Sequence, residues 1–275
     1  AVAGRRNGKM KTIKWLAFGC SHAPLHDPAH IDWIEGRIRE VKPDVVLHLG
    51  DLHEADSASR WPSEYDWDLT HEFREADRLL NRIRTAAQAV NAKARCVFLP
   101  GNHDANLLAM ARIPRKVRLC CDWRVPQYDA DKKLVNGELL KHWRTGCAYR
   151  YCRTSGVYRI GQVTFAHGYE HGVSGDEAQS ILLGQPYGLY VSAHTHRPQP
   201  VTQAMRTRQI PLPYWFANVG CSREMKPAYV ERRRTHQWGQ AVAYGDAELL
   251  KSPRAGRRWS ATVEIFRMYD AWAGR

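Results

Sequence analysis

Strands and helices alternate along the N-terminal part of this sequence, and that alternation constrains the fold more than any other feature. Three short apolar runs lie at 12–19, 44–49 and 94–99, each ending in glycine or followed closely by it. The segments between them, 32–41 and 65–90, carry apolar residues at helical spacing. Strand–helix–strand–helix–strand is typical of a parallel sheet covered by helices. The carboxyl ends of such strands lie along one edge of the sheet, where ligands bind.

The second part of the chain has a different pattern, in which alternating apolar and polar residues indicate antiparallel strands. The predicted strands are 156–165, 189–192, 214–219, 240–249 and 260–268. The segment 112–153 is basic and irregular and supports no assignment, and the proline-rich segment 198–213 is predicted to be a loop. The whole pattern therefore predicts an α/β protein that contains both parallel and antiparallel pairing.

Side chains able to bind a metal ion follow five of the predicted strands. In chain order these clusters are Cys20–His22, Asp51–Glu54, Asn102–Asp104, His167 and His194–His196. Because strand ends converge on one edge, the clusters can meet although they are far apart in sequence. Imidazole, carboxylate, amide and thiolate groups are ligands for divalent ions such as Zn, Mn and Fe. They are too many for one ion, whereas two ions that share one carboxylate would use nearly all of them.

In this order, the clusters resemble the motifs of the calcineurin-like metallophosphoesterase family: D-x-H, GDxxD, GNH(D/E), a lone histidine and GHxH. The resemblance runs from about Ile13 to at least Ser222, and GNHD at 101–104 and HTH at 194–196 are its most specific parts. Three flanking sequences resemble the phage and bacterial branch of the family: HAPLHDP at 22–28, KPDVVLHLGDL at 42–52 and HTHRPQ at 194–199. NVGC at 218–221 is similar to the closing turn of the family.

The resemblance implies an α/β fold built as a four-layer αββα sandwich, in which two mixed β-sheets are flanked by helices. It places residues 1–275 in one metallophosphoesterase domain, with the motifs in 12–222 and closing strands and basic loops in 223–275. It also implies hydrolysis of phosphoester bonds by a hydroxide that bridges two divalent metal ions, which would be Mn, Zn or Fe.

The family motifs carry over to two sets of metal ligands that share one bridging carboxylate. The first set is Cys20, His22, Asp51 and His196, and the second is Asp51, Asn102, His167 and His194.

The same resemblance implies catalytic roles for two residues of the GNHD motif. His103 would protonate the leaving oxygen as general acid, and Asp104 would orient it. Outside the motifs, Arg197 and Arg60 are candidates for binding the substrate phosphate, because a guanidinium fork matches its oxygens. A solvated arginine is the alternative at Arg197.

Two polar residues of the motifs depart from the family pattern. Cys20 stands where the family has aspartate. A thiolate can bind zinc at about 2.3 Å, and its softness favours Zn or Fe over Mn or Mg. The alternative is that Cys20 does not bind metal and leaves the first site weaker or empty. Glu54 replaces the second aspartate of GDxxD, and we expect this residue to act on the metals only indirectly.

The charge bears on the substrate. The chain carries 41 Lys and Arg against 28 Asp and Glu, for a net charge of +13, which predicts attraction to polyanions. Basic residues mix with tryptophan at 232–238 and 257–259, as on surfaces that stack nucleobases. The alternative is packed tryptophans beneath arginines.

Three functions therefore remain open. The first is a phosphodiesterase or nuclease acting on nucleic acid. The second is a phosphomonoesterase acting on a phosphoprotein or a nucleotide, and the third is a catalytically impaired metal-binding scaffold, which the cysteine at position 20 motivates.

Composition and hydropathy predict the setting of the protein. An odd count of 7 cysteines without an export signal favours reduced thiols, and no apolar run approaches the ~20 residues of a membrane helix. We therefore expect a protein of the bacterial cytoplasm or of a phage-infected cell, without a membrane partner. Structural zinc at Cys120, Cys121, Cys147 and Cys152 is the weaker alternative to ordinary thiols. The oligomeric state stays open.

Three residues beside the motifs receive structural predictions. His48 alternates within its strand and is predicted to be packed there. His53 is predicted to lie at the surface, with the edge of the pocket as the alternative. Asp27 is predicted to lie in a turn or to begin a helix rather than to bind metal.

Overall fold

The computed structural model describes residues 11–56, 65–110, 120–145, 147–148, 156–168, 188–203, 214–225, 238–249 and 257–268. Its strands, numbered along the chain, are β1 (Thr12–Phe18), β2 (Val45–His48), β3 (Arg95–Phe98), β4 (Trp143–Thr145), β5 (Cys147–Ala148), β6 (Gly156–Ile160), β7 (Val163–Ala166), β8 (Gly188–Ser192), β9 (Gln199–Gln203), β10 (Tyr214–Asn218), β11 (Gly239–Glu248) and β12 (Trp259–Met268). Its helices are α1 (Pro28–Val41), α2 (Leu69–Val90), α3 (Asn102–Met110) and α4 (Gly137–His142).

The strands form two mixed sheets with flanking helices, as the sequence predicts. The first sheet has the order β12-β11-β1-β2-β3-β4, and the second has the order β5-β6-β7-β8-β10-β9. In the first sheet β1 to β4 run parallel, while β11 and β12 pair antiparallel at the side of β1. In the second sheet β7, β8 and β10 are parallel and their neighbours are antiparallel.

Strand β1 shows how the layers are built, because alternate side chains point to opposite faces of a strand. Leu16 and Phe18 join the core under the helices, together with Ile34 of α1. Trp15 and Ala17 join a second core between the two sheets. A strand buried on both faces reads as a continuous apolar run, which is why Trp15–Phe18 shows no alternation, whereas Thr12 and Lys14 in the first half of the strand are exposed.

Helix α1 has clear signals at both ends. Asp27 is its N-cap, and its carboxylate accepts hydrogen bonds from the backbone N–H groups of Ala29 and His30. Pro28 occupies the first turn, where its missing N–H costs nothing. The helix ends at Lys42, which adopts a left-handed conformation with φ 52°. The prediction that Asp27 begins a helix is therefore confirmed.

The prediction of a loop over 198–213 is wrong at its start. Residues Gln199–Gln203 form strand β9, which pairs antiparallel with β10 at the edge of the second sheet. An edge strand tolerates a proline, because the missing N–H need not face a neighbour. The remainder, 204–213, lies outside the described residues.

Within 112–153, the structure shows α4, β4 and β5, for which the sequence supported no assignment.

Within the described ranges, no helix combines the length and the apolar character that crossing a bilayer requires.

His30 makes the stability of this fold sensitive to acid. Its ring is buried between Trp33 and Phe266, with centroids 5.5 and 5.3 Å away. Neither ring nitrogen has a hydrogen-bond partner among the described residues. Burial lowers the pKa of His30 to about 3. An unfolded histidine titrates near pH 6.5, so acid protonates the unfolded chain first and stability falls as the pH drops from about 6.5 towards 3.

We therefore expect His30→Phe to stabilise the protein more at pH 5 than at pH 8. The additional gain at pH 5 should be about 2 kcal/mol, because the penalty of keeping one histidine neutral disappears. Urea unfolding of both proteins at the two pH values measures it. Equal stabilisation at pH 5 and pH 8 would show that His30 titrates normally.

Candidate metal centre

The loops that carry the predicted ligands continue the parallel pairing of β1 and β2 beyond the strands. The backbone N–H of Cys20 donates to the carbonyl oxygen of Gly50 at 2.8 Å, and that of His22 donates to the carbonyl oxygen of Asp51 at 2.9 Å. His167 follows β7, and His194 and His196 follow β8. The loops thus bring side chains from both sheets to one edge.

The backbone at this edge is strained. Five non-glycine residues there have positive φ angles between 49° and 59°: Cys20, His22, Asp51, His194 and His196. Each such conformation costs on the order of 1–3 kcal/mol, and persists where the surrounding structure enforces it, most often at functional sites. All five are predicted metal ligands, so the strain coincides with the predicted centre.

The first predicted ligand set comes together. Cys20, His22, Asp51 and His196 are all buried, and each offers a donor atom within 4.8 Å of the others. The Nε2 atoms of His22 and His196 are 3.1 Å apart, and His22 Nε2 is 3.9 Å from Asp51 Oδ2.

The second set lies beside it and shares Asp51. His167 Nε2 is 3.1 Å from Asp51 Oδ2 and 3.0 Å from Asn102 Oδ1. His194 presents Nδ1 to the same atom of His167, at 3.2 Å. Asp51, His167 and His194 also offer donor atoms within 4.8 Å of one another. One carboxylate therefore lies between two groups of donors.

The donor set fits divalent cations. In two of its histidines Nδ1 faces an oxygen acceptor, which leaves Nε2 to bind a metal ion. His167 Nδ1 donates to the carbonyl oxygen of Leu49 at 2.7 Å. His22 Nδ1 lies 2.6 Å from Glu54 Oε2. A metal-binding histidine is normally oriented in this way by an acceptor on its other nitrogen. The Nε2 atoms of both rings are left facing the centre.

Carboxylates and imidazoles at this edge shift one another's pKa towards the charged forms. Burial would raise the pKa of Asp51, but His167 and His103 hold it well below its ordinary value. Burial alone would lower the pKa of His103, yet the carboxylates of Asp51 and Glu54 raise it. The site therefore contains an ionised carboxylate beside an imidazole that retains its proton more readily than usual.

The structure corrects the expected role of Asp104. His103 is oriented by the backbone carbonyl of Glu54, 2.5 Å from its Nδ1. The Asp104 carboxylate instead accepts from His53 Nδ1 at 2.8 Å and from the backbone N–H of Gly101 at 2.8 Å. Asp104 therefore braces the loops after β2 and β3 rather than the general-acid candidate.

The contact between His53 and Asp104 also shows that the surface position predicted for His53 is wrong. Its side chain is 1% exposed, because the ring turns inward to reach the buried carboxylate of Asp104. His48 is packed within its strand as predicted, and its ring is fully buried.

Sequence reasoning did not identify Arg223. This arginine is 1% exposed, and its Nη1 lies 3.4 Å from Glu54 Oε2, on the oxygen that approaches His22. Glu54 thus contacts both Arg223 and His22, a member of the first donor group. The only sequence signal for Arg223 is its position just after the NVGC turn at 218–221.

The aromatic residues of the basic segments are packed. Trp238 lies edge-on against His196, with ring centroids 4.3 Å apart. Arg257 lies over Trp259 at 4.1 Å, and Trp259 is buried. The described part of the segment 257–259 therefore matches packed tryptophan beneath arginine, and 232–234 lies outside the described residues.

The remaining predicted residues are the two arginines proposed to bind phosphate and the four cysteines of the alternative zinc site. Arg197 is half-buried next to His196, while Arg60 lies outside the described residues. Cys120 is exposed and Cys121 is buried, whereas Cys152 and the side chain of Cys147 are not among the described parts.

Cys20 is buried as a thiol. The backbone N–H of His194 donates to its Sγ at 3.2 Å. Burial and the charge of Asp51 raise the pKa of Cys20 well above its ordinary value. A cation that binds this sulfur must therefore displace the thiol proton, which makes binding at the first set dependent on pH.

Gly101 gives a direct test of how tightly the centre is packed. A Cβ atom on Gly101 would collide with Oδ1 and the backbone nitrogen of Asp51, and would lie 2.8 Å from His167 Cε1. We expect Gly101→Ala to destabilise the protein by about 1–3 kcal/mol or more and to lower its metal content.

Gly36→Ala is the matched control for this prediction. Gly36 lies within α1, where an added Cβ meets nothing within 4 Å, so stability should rise by up to about 1 kcal/mol. Thermal unfolding measures the stability of both variants, and elemental analysis measures their metal content. Unchanged stability and metal content in Gly101→Ala would contradict the geometry.

Two mixed sheets flanked by helices, with a shared cluster of nitrogen, oxygen and sulfur donors at one edge, define a class of layered α/β proteins with a candidate metal-binding site. Within that class, the sequence profile described as calcineurin-like phosphoesterase matches residues 13–200. The chain belongs to this family, whose members act on phosphoester substrates.

Solved structures give loose overall matches. Vps29 of Entamoeba histolytica, as a single mutant, is 10% identical, covers 93% of this chain and 100% of its own, and has a TM-score of 0.38. Vacuolar Protein Sorting 29 of Cryptosporidium parvum is 13% identical, with coverages of 93% and 98% and a TM-score of 0.40. A phosphatase described as novel, from Mycoplasma pneumoniae, is 10% identical, with coverages of 93% and 94% and a TM-score of 0.38.

These superpositions are too loose to support an argument about function. A comparison with curated proteins found no match. The family assignment therefore depends on the matched sequence profile.

Proposed function

We propose that this protein is a metal-dependent phosphoesterase that hydrolyses phosphodiester bonds, with nucleic acid as its substrate. The observation that carries the proposal is the buried carboxylate of Asp51, which belongs to both donor groups. Family membership supports the phosphoester chemistry, and the net charge of +13 supports a polyanionic substrate.

The proposed cofactor is a pair of divalent cations, Mn, Zn or Fe. Cys20, His22, Asp51 and His196 would hold one ion, and Asp51, Asn102, His167 and His194 the other. When bound, such a pair lowers the pKa of water and neutralises the charge of the phosphoryl oxygens. The sulfur of Cys20 favours Zn or Fe at the first position.

His103 is the proposed proton donor. Its Nδ1 is engaged by the carbonyl of Glu54, so Nε2 is the atom left to protonate the departing oxygen. Without metal ions, the carboxylates of Asp51 and Glu54 raise the pKa of this imidazole, which is the direction that a proton donor requires. Glu54, held by Arg223, orients His22 and keeps that ring directed at the centre.

Arg197 is the proposed phosphate-binding residue among the described ones, because it is half-buried directly after His196. Arg60 is proposed on its sequence position alone. We also propose a reducing cytoplasmic setting, which the free thiols of Cys20, Cys96, Cys120, Cys121 and Cys221 support.

A panel of substrates tests the proposed function. Metal-loaded protein should hydrolyse bis-p-nitrophenyl phosphate at least as fast as p-nitrophenyl phosphate, and chelation should abolish both activities. Binding to single-stranded DNA or RNA should weaken steeply with salt, because each phosphate contact releases counterions. Much faster monoester turnover without nucleic-acid binding would identify a phosphomonoesterase instead.

A catalytically impaired scaffold is the second candidate, favoured by the buried thiol of Cys20. This candidate predicts bound metal, identified by elemental analysis, without hydrolysis of either ester. Turnover of either ester that chelation abolishes would exclude it.

Cys20→Ser separates the two proposed metal positions. Because Cys20 belongs to the first donor group alone, we expect the variant to lose occupancy of one ion and retain the other. Cys96→Ser is the control, since Cys96 is a buried thiol in the core under the helices. Elemental analysis after dialysis measures both. Loss of both ions, or of neither, would contradict a ligand role for Cys20.

A further inference from the structure

We propose that His48 is a positioning residue for the metal centre, a neutral imidazole that ties together the two loops carrying Cys20, His22 and Asp51. The inference rests on the proposed metal-binding function. His48 is the last residue of β2, lies beneath the centre and is fully buried.

Both ring nitrogens of His48 are used on these loops. The backbone N–H of Gly50 lies 3.3 Å from Nδ1, and Ser21 Oγ lies 2.7 Å from Nε2. A backbone N–H can only donate, so Nδ1 is the acceptor and Nε2–H donates to the serine hydroxyl. Burial lowers the pKa of His48 to about 3, which keeps the ring neutral, and the bond from Gly50 fixes the tautomer.

The bonded groups are placed to control the ligands. Ser21 lies between Cys20 and His22, and Gly50 directly precedes Asp51. The three ligands have left-handed backbones, with φ angles of 52°, 50° and 49°, so neighbouring contacts must hold their peptide planes in place. His48 supplies such contacts on both loops, as acceptor for the backbone N–H of Gly50 and as donor to the side chain of Ser21.

The ring itself has little freedom to move. It lies edge-on to Phe18 and tilted against Phe98, with centroids 4.9 and 5.8 Å away. Groups that orient metal ligands from behind typically change metal affinity 10–100-fold when they are removed. We therefore expect an effect of that size at the first metal position.

His30 provides a matched comparison for His48. Both histidines are buried against aromatic rings, and burial lowers the pKa of each to about 3. The nitrogens of His30 lack partners among the described residues. Histidine to phenylalanine is thus the same chemical change at both positions, but only at His48 does it remove hydrogen bonds to the ligand loops.

Titration of the metal-free full chain with Co²⁺, followed by visible absorption, tests the proposal. His48→Phe should weaken binding of one Co²⁺ by about 10–100-fold and weaken the other less, because of the three ligands on these loops only Asp51 belongs to both donor groups. Ser21→Ala should weaken the same ion. The double variant should bind it no more weakly than His48→Phe alone, because both changes remove one shared interaction. His30→Phe should match the wild type.

Three results would overturn the inference. The first is a Co²⁺ affinity within about twofold of the wild type in both His48→Phe and Ser21→Ala. The second is fully additive effects in the double variant, which indicate that the two residues act independently. The third is a wild-type protein that binds no Co²⁺, which overturns the proposed function as well. If His48→Phe does not fold, the Co²⁺ affinity of Ser21→Ala, which removes a single oxygen, decides the test. An affinity within about twofold of the wild type overturns the inference, and weaker binding of one ion supports it.

Discussion

Asp51→Asn is expected to lower phosphoester hydrolysis at least ~10³-fold, a loss of several kcal/mol of electrostatic stabilisation. Asp51 is the residue that both donor groups share, and its carboxylate is held ionised by His167 and His103. Asparagine keeps the shape, so Oδ1 can still accept from the backbone N–H of His103, as it does in the wild type at 2.9 Å. The lost quantity is the negative charge between two cations.

Metal content and activity should fall together in this variant. Elemental analysis should show fewer than two bound ions per chain, while thermal unfolding shows that the fold persists. Asp131→Asn is the control, because Asp131 is an exposed aspartate in the loop before α4. A variant with full metal content and wild-type turnover would remove Asp51 from the centre.

His103→Gln is expected to lower turnover about 10²–10⁴-fold on substrates whose leaving oxygen needs a proton. His103 is not in either of the two proposed ligand sets, so the metal content should be unchanged. The loss should be much smaller on p-nitrophenyl esters, because p-nitrophenolate departs without protonation.

The dependence on leaving group distinguishes proton donation from a general structural effect. A series of aryl and alkyl phosphodiesters, measured at saturating metal, gives the slope for each protein. His142→Gln, at the exposed end of α4, controls for the loss of an imidazole. Equal losses across the series, or a loss of metal, would show that His103 is not the general acid.

The central features of fold and site could be predicted because they depend on local signals and strand order. The apolar runs before Cys20, Asp51 and Asn102 predict strands, and parallel strands bring the residues after their carboxyl ends to one edge. The meeting of these clusters can therefore be predicted from the order of the strands, whereas their division into two ligand sets is what the family resemblance implies. The helix start at Asp27 is predicted by capping chemistry, which is equally local.

The partners of individual side chains could not be predicted in the same way. Whether Asp104 contacts His103 or His53 depends on how two loops turn after their strands, and no local pattern encodes that. Arg223 meets Glu54 across 169 residues of sequence. The alternation of strand β9 is hidden by its proline and its exposed edge position, where propensity depends on context.

The position of β1 between β2 and β11 has a consequence for how the chain folds. β1 is made first, yet its antiparallel neighbour β11 is supplied by residues 239–248. Pairing across such a separation is slow, since a long loop must close before the contacts compensate for it. Until then β1 keeps an unpaired apolar edge, which is prone to intermolecular association. The centre also waits for this step, because His196 packs on Trp238 and its carbonyl accepts from the Gly239 N–H. We therefore expect the metal centre to be completed late in folding, when β11 pairs with β1.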